Sequence, residues 1–597
     1  MMFSRFLFPH KHLEFSPFHP SILPSFYTAF VSLSLCGALF LTACVDGNNT
    51  DQTTSISDPA MDQVARPLPP DAAPPNKQIF TYQNYEPSSL DISVTVYQSG
   101  QSEFLFERLT MLDHDNNLIP GAADRWESSP DGKSWTFYLR PGNKWSDGKP
   151  VTAYDFEYTF RRLIDPKSGN VYAFFYYDIK NARAFNQGEI TDIDSVGVRA
   201  LDELTFVIET EEICAYLPYV VQFPTSSPVP RWQVEKFNAR WTEEGRCVSN
   251  SAFKLDTWDA GRQMSFGLNP YYNGPNRAHL RKIVRRFTGP VGATSAGGGI
   301  GVTAYENNEI DWITVESPAE LYRIKKDPQL SKELWTYDNF GTNYLFFRTR
   351  QPPFNDLRVR QAIAHAVDQK TIANVVLKQT VIPAYTMLPT HFPGYVGDKH
   401  QAYQQFDPNR ARQLLNEAGF PNGRGFPKVE MWIGDAGPET VIGQAAQVIQ
   451  QQLKEVLNIQ IAIRNVQGNT YFQRMYAWEI PMSLGGFGYD FPDPQSLLGV
   501  VWRSQPKGFT RHDWRNDRFD ELIDRAAREL DHDTRFGYYD EAEQVLASDV
   551  GGVFLWHRLA HDLRKTWVKG IKQDQWGNYP FRGNNTTYYE MYIGDER

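Results

Sequence analysis

Within Trp135–Pro166 the hydrophobic period of the chain changes from two to 3.6. WTFYLR alternates as a strand does, RPGNKWSDGKP carries PG and DG turn pairs, and AYDFEYTFRRLI spaces its apolar residues as a helix. Thr152 is placed to N-cap that helix with Asp155 at the capping-box position, and Pro166 ends it. A strand that hands over to a capped helix predicts α/β layers rather than a bundle or a barrel. Two further stretches repeat the signal. In PPFNDLRVRQAIAHAVDQ, Asn355 or Asp356 caps a helix whose Val359, Ala362, Ile363, Ala366 and Val367 share one face. In VIGQAAQVIQQQLKEVLNIQIAIRNV a helix ends near Asn458 and a strand follows through Ile459, Ile461 and Ile463. At 597 residues the chain outgrows one core, which stops near ~250–300 residues, so two or three lobes are expected.

The N-terminus reads as an address. Arg5 and Lys11 precede the apolar run Ala29–Leu41, which is too short to span a bilayer and suits a signal-peptide core. It ends LTAC, similar to a bacterial lipobox, which makes Cys44 the expected lipidation site. Residues 1–43 are then a signal peptide, and residues 44–76, polar and then Pro-rich, a disordered tether. No later run is long and apolar enough to cross a membrane. In the oxidising compartment this address implies, Cys214 and Cys247 are a possible disulfide; they equally read as two buried thiols.

A formal net charge of −10 argues against nucleic acid, which needs a basic face. Signals of catalysis are sparse. GGGIG, Gly297–Gly301, is a loose dinucleotide fingerprint with no strand before it and reads as a flexible loop. His557 and His561 stand four apart, but VFLWHRL reads as a strand without the metalloprotease glutamate, so no metal is assigned. There is no G-x-S-x-G elbow, phosphate loop or paired-Cys motif, so no catalytic residue and no cofactor are named.

SLGGFGYDFPDPQSLL, Ser483–Leu498, sets two carboxylates among glycines, aromatics and prolines. Asp493, beside Pro494, reads best as a turn or helix cap; for Asp490 the cap and a functional role stay open.

That stretch joins GAADRWESSPDGKSWTFYLRPGNKWSDGKPVTAYDFEYTFRRLIDP, NSAFKLDTWDAG, YENNEIDW and PPFNDLRVRQAIAHAVDQ in a wider pattern. Together they resemble the extracellular solute-binding proteins of ABC importers, in the dipeptide/oligopeptide/nickel class, and within it the oligopeptide binders. The resemblance runs from about Gln78 to the C-terminus. It implies an α/β, two-lobed periplasmic-binding-protein fold with a hinge and an inserted domain, three domains in all. Lobe I takes residues 77–107, 231–335 and 566–597, the insert 108–230 and lobe II 336–565. It implies a receptor, not an enzyme: monomeric, periplasmic, lipid-anchored, capturing oligopeptides by hinge closure and delivering them to a permease driven by separate ATPase subunits. A metal chelate, haem or sugar is the alternative solute; a secreted hydrolase is the more distant alternative. By the same resemblance Asp490 pairs with a peptide's N-terminal ammonium, Tyr489 flanks it, Phe487 stands where the family packs an indole, and Tyr172 is a cleft tyrosine of the insert. The family's cleft arginines, which help receive the peptide C-terminus, fall here near Met475 and Leu484, so the carboxylate end looks rebuilt.

Overall fold

Two long strands organise the molecule. The computed structural model describes residues 63–95, 103–170, 172–290, 299–507, 511–575 and 585–597, all within the unit Ile56–Arg597. In chain order the strands of the main sheet are β1 (Ile79–Glu86), β2 (Phe253–Asp259), β3 (Gln263–Leu268), β4 (Lys282–Pro290), β5 (Trp312–Thr314), β6 (Leu334–Phe347), β7 (Val381–Pro383), β8 (Val429–Gly434), β9 (Ile461–Val466), β10 (Met482–Gly488) and β11 (Gly552–Arg564). Their spatial order is β9-β8-β10-β6-β11-β5-β1-β4-β3-β2, with β7 added to β11. The long antiparallel pair β6 and β11 therefore joins two half-sheets. One end of β11 pairs with β5 and the other with Tyr344–Phe346 of β6. The β6–β11 register slips between Asp338 and Thr342 and again after Asn343, midway between the halves.

Each half buries its own apolar residues. Along β6, Tyr344 and Phe346 enter one core cluster while Leu345 and Phe347 enter another. Alternate side chains leave opposite faces of a strand, so both faces of this half-sheet are covered. The helix Leu357–Ala366 covers one face, its Val359, Ala362, Ile363 and Ala366 fully buried, as expected. Its cap is Asp356, whose Oδ1 accepts from the Arg358 N–H at 2.9 Å. The helix Val441–Leu457 packs in the same cluster and ends on Asn458 in the left-handed region. The helix Ala153–Ile164 begins where the sequence put it: Asp155 Oδ2 accepts from the Thr152 N–H at 2.8 Å. It lies on a separate four-stranded sheet, Ala123–Ser128, Ser134–Leu139, Thr205–Glu209 and Val198–Ala200. The first half and this small sheet share one continuous core.

Four expectations meet a different outcome or fall outside the described residues. The tether does not reach Asn76: Ala65 and Ala73 are buried, the Arg66 N–H donates to the Ala278 carbonyl, and the Ala73 N–H donates to that of Ile593. Small apolar residues there find the core. Cys214 and Cys247 are both free thiols. Cys214 sits beside Asp178 and Tyr216 and Cys247 near Asp91, in different parts of the core, and burial raises both thiols, Cys247 to about 12. Of the expected loop Gly297–Gly301, the last three residues open the helix Gly299–Glu306. Cys44 and the signal segment lie outside the described residues. Among the described residues no helix is long and apolar enough to cross a membrane.

Candidate functional site

Between the half-sheets lies a cavity of about 1210 Å³. Its walls come from two open strand edges. On one side β1 pairs with β5 only at Tyr82, and Gln83, Asn84 and Tyr85 face the cavity. On the other, β8 pairs with β10 only at Met482 and Ser483, so among the described residues no strand covers the outer edge of Leu484–Gly488. Leu484, Gly485 and Gly486 line the cavity. An open edge is a template for one more strand.

Just beyond β10 the chain turns into the second half of the quoted stretch. Phe491 leaves the strand and enters the other core, stacked on Tyr216 at 5.8 Å and edge-on to Phe175 at 5.5 Å. Asp493 fixes the turn: Oδ1 accepts from the Gln495 N–H at 2.9 Å and from Arg535 Nη2 at 2.7 Å. Its structural reading holds. Asp490 is different. Its backbone is held, with the N–H donating to Ser496 Oγ at 2.9 Å and the carbonyl accepting from Gln222 Nε2 at 3.3 Å. Its carboxyl group hydrogen-bonds Tyr172, yet Oδ2 is sealed from solvent with no hydrogen-bond partner. The residue as a whole is half-buried, so the sealing is local to that oxygen. Burial drives the Asp490 carboxyl up to about 7, against the pull of Arg511 and the Tyr172 hydroxyl. A charge so placed is costly until a cation joins it.

Asp490 and Tyr172, far apart in sequence, thus meet. Tyr172 is nearly buried, its ring against Phe174 at 5.6 Å and Phe223 at 5.0 Å. Phe487 is half-buried with the Arg511 guanidinium 4.7 Å over its ring. Tyr489 packs edge-on against Phe340 and Phe392, and burial raises its hydroxyl to about 12. None of these four lines the large cavity; they sit where its β10 wall ends. Met475 and Leu484 are buried apolar residues. The residues that sequence reasoning missed are Arg511 and Arg558, which bring two guanidiniums to the same wall. Arg558 lies inside HRLAH, a segment read only for its histidines. Those histidines are held by threonines: His557 Nδ1 lies 2.9 Å from Thr342 Oγ1, and His561 Nδ1 lies 3.0 Å from Thr336 Oγ1.

A two-halved α/β frame around a large cavity with open strand edges is the arrangement of a solute receptor. The profile of the bacterial extracellular solute-binding proteins, family 5 (middle), matches residues 117–509, and the chain belongs to that family. It is a binding protein and not an enzyme. The periplasmic oligopeptide-binding protein of Salmonella typhimurium is 30% identical over 482 residues, 80% of this chain and 86% of the relative. The structure of the Escherichia coli murein tripeptide binding protein superposes with a TM-score of 0.72 at 25% identity, covering 88% of this chain and 100% of that one. That of the Haemophilus influenzae oligopeptide binder in complex with RPPGFSPFR gives 0.71 at 25% identity, covering 87% and 99%. The expected two-lobed fold is the one found.

Proposed function

We propose that this protein is the receptor of an ABC importer for short peptides, and that Asp490 receives the ligand's ammonium group. The observation that carries the reading is the sealed, unpartnered Oδ2 of Asp490 at the end of a strand whose outer edge is open. An ammonium group turns a costly buried carboxylate into a hydrogen-bonded ion pair. The peptide main chain then adds to the edges of β10 and β1, which reads backbone rather than side chains. The names of the relatives, two of which bind oligopeptides or a murein tripeptide, support this choice of solute. Tyr172 orients the carboxyl group; Phe487 and Tyr489 shape the wall around it. Residues 77–107, 231–335 and 566–597 serve as lobe I, 108–230 as the insert and 336–565 as lobe II, closing by bending of β6 and β11 near the register slips. In the same reading the protein is a periplasmic monomer, and Cys44 carries the lipid that holds it beside the permease and ATPase subunits.

The test is calorimetric titration of a free-amine tripeptide and its N-acetylated form into the parent and Asp490→Asn. Removing one partner of a buried ion pair costs about 2–5 kcal/mol, so the variant should lose that much for the free amine and far less for the acetylated peptide. Equal losses for both would remove the pairing, and a bound solute without an amine would remove the peptide.

A further inference from the structure

The glycines of β10 have a use that strand geometry does not require. The Arg558 side chain crosses from β11 over β6 and β10, and its Nε donates to Asn343 Oδ1 at 2.7 Å. A Cβ on Gly486 would collide with Arg558 Nη2, and one on Gly341 would stand 3.1 Å from Arg558 Cδ. Neither glycine has a positive φ, so what needs glycine here is close approach: of the Arg558 guanidinium and the Asn343 amide at Gly486, and of the Phe487 carbonyl and Gly488 as well as Arg558 at Gly341. Arg511 reaches the same spot from the far side: Nη1 donates to the Gly486 carbonyl at 2.6 Å, and the guanidinium covers Phe487. Both arginines line the cavity. Glu316, Asp435 and Glu439 line it too, yet among the described residues no carboxylate pairs with Arg558. Asp435 is taken up by the Gly468 N–H at 2.7 Å. Two guanidiniums side by side repel, and burial together with Arg511 lowers Arg558 to about 10.

From this geometry we infer that Arg558 and Arg511 form an anion subsite that receives a carboxylate of the bound solute. The planar guanidinium fork matches a carboxylate in two parallel hydrogen bonds, and an anion relieves the repulsion between the two arginines. The inference rests on the peptide reading above and adds a size to it. Asp490 lies four positions beyond Gly486, a span of at most about 13 Å at ~3.3 Å per residue. An extended peptide advances ~3.3–3.6 Å per residue, so no more than about four residues are needed to place an amine at Asp490 and a carboxylate at the arginines. That carboxylate is either the peptide's own C-terminus or an acidic side chain.

The experiment compares trialanine, trialanine amide and Ala-Ala-Glu amide by calorimetric titration into the parent, Arg558→Gln, Arg558→Lys and Gly486→Ala. The parent should prefer the acid to the amide by at least tenfold, Arg558→Gln and Gly486→Ala should lose that preference, and Arg558→Lys should retain part of it. Recovery of affinity by Ala-Ala-Glu amide assigns the subsite to side-chain carboxylates as well as to the C-terminus. Equal binding of acid and amide by the parent, or an undiminished preference in Arg558→Gln, would overturn the subsite while leaving the peptide reading standing. If none of the peptides binds, the peptide reading falls, and sulfate decides the subsite alone. Thermal protection of the parent but not of Arg558→Gln supports the subsite; an equal response overturns it.

Discussion

Asp490→Asn should make the empty protein more stable while making it a worse receptor. The Asp490 carboxyl is raised from 3.8 to about 7 by burial, so between those values the folded state keeps a proton that the unfolded state releases. Stability therefore falls as pH rises through that window. At ~1.36 kcal/mol per unit the full effect is at most about 4 kcal/mol above pH 7. An asparagine keeps the shape and can still accept from Tyr172, but its amide needs hydrogen bonds of its own, which reduces the gain to about 1–3 kcal/mol. The assay is urea unfolding of ligand-free parent and variant at pH 4, 6 and 8. The difference should be near zero at pH 4, where Asp490 is protonated in the folded state, and largest at pH 8. Saturating free-amine peptide should reverse the order at pH 8, since the ligand stabilises the parent more. A variant that is equally stable at all three values, or destabilised at pH 8, would show that Asp490 is not held in an uncompensated state and would refute the argument.

The turn beyond β10 makes its own demand. Arg535→Ala strands the Asp493 carboxylate, which Arg535 now pairs at 2.7 Å, and should cost about 3–5 kcal/mol by urea unfolding, with Asp493→Asn the milder of the two. The thiols make another: after denaturation without reductant, alkylation and peptide mapping should label both Cys214 and Cys247, since neither is bonded.

The local signals proved reliable where one residue type had one job. Thr152 with Asp155, Asp356 and Asn458 mark helix ends because a cap is a contact within a few residues, and the structure places all three where the chain predicted. The buried face of Leu357–Ala366 was legible for the same reason, since helical spacing alone brings its apolar residues together. Disulfide pairing was not legible: it depends on where two distant segments end up, and Cys214 and Cys247 end up apart. Nor was the end of the tether, whose small apolar residues find a surface supplied by the far C-terminus.

The α/β alternation, the family resemblance and the acid at position 490 can be read along the chain, because they are written in periodicity and in contiguous motifs. What Asp490 faces, and which charges share its wall, emerges from the folded molecule alone. Tyr172, Arg511 and Arg558 come from three separate segments, and the glycines that admit Arg558 look in sequence like loose strand positions. A contact between residues remote along the chain leaves no local period, so it appears only when the strands β6, β10 and β11 are laid side by side.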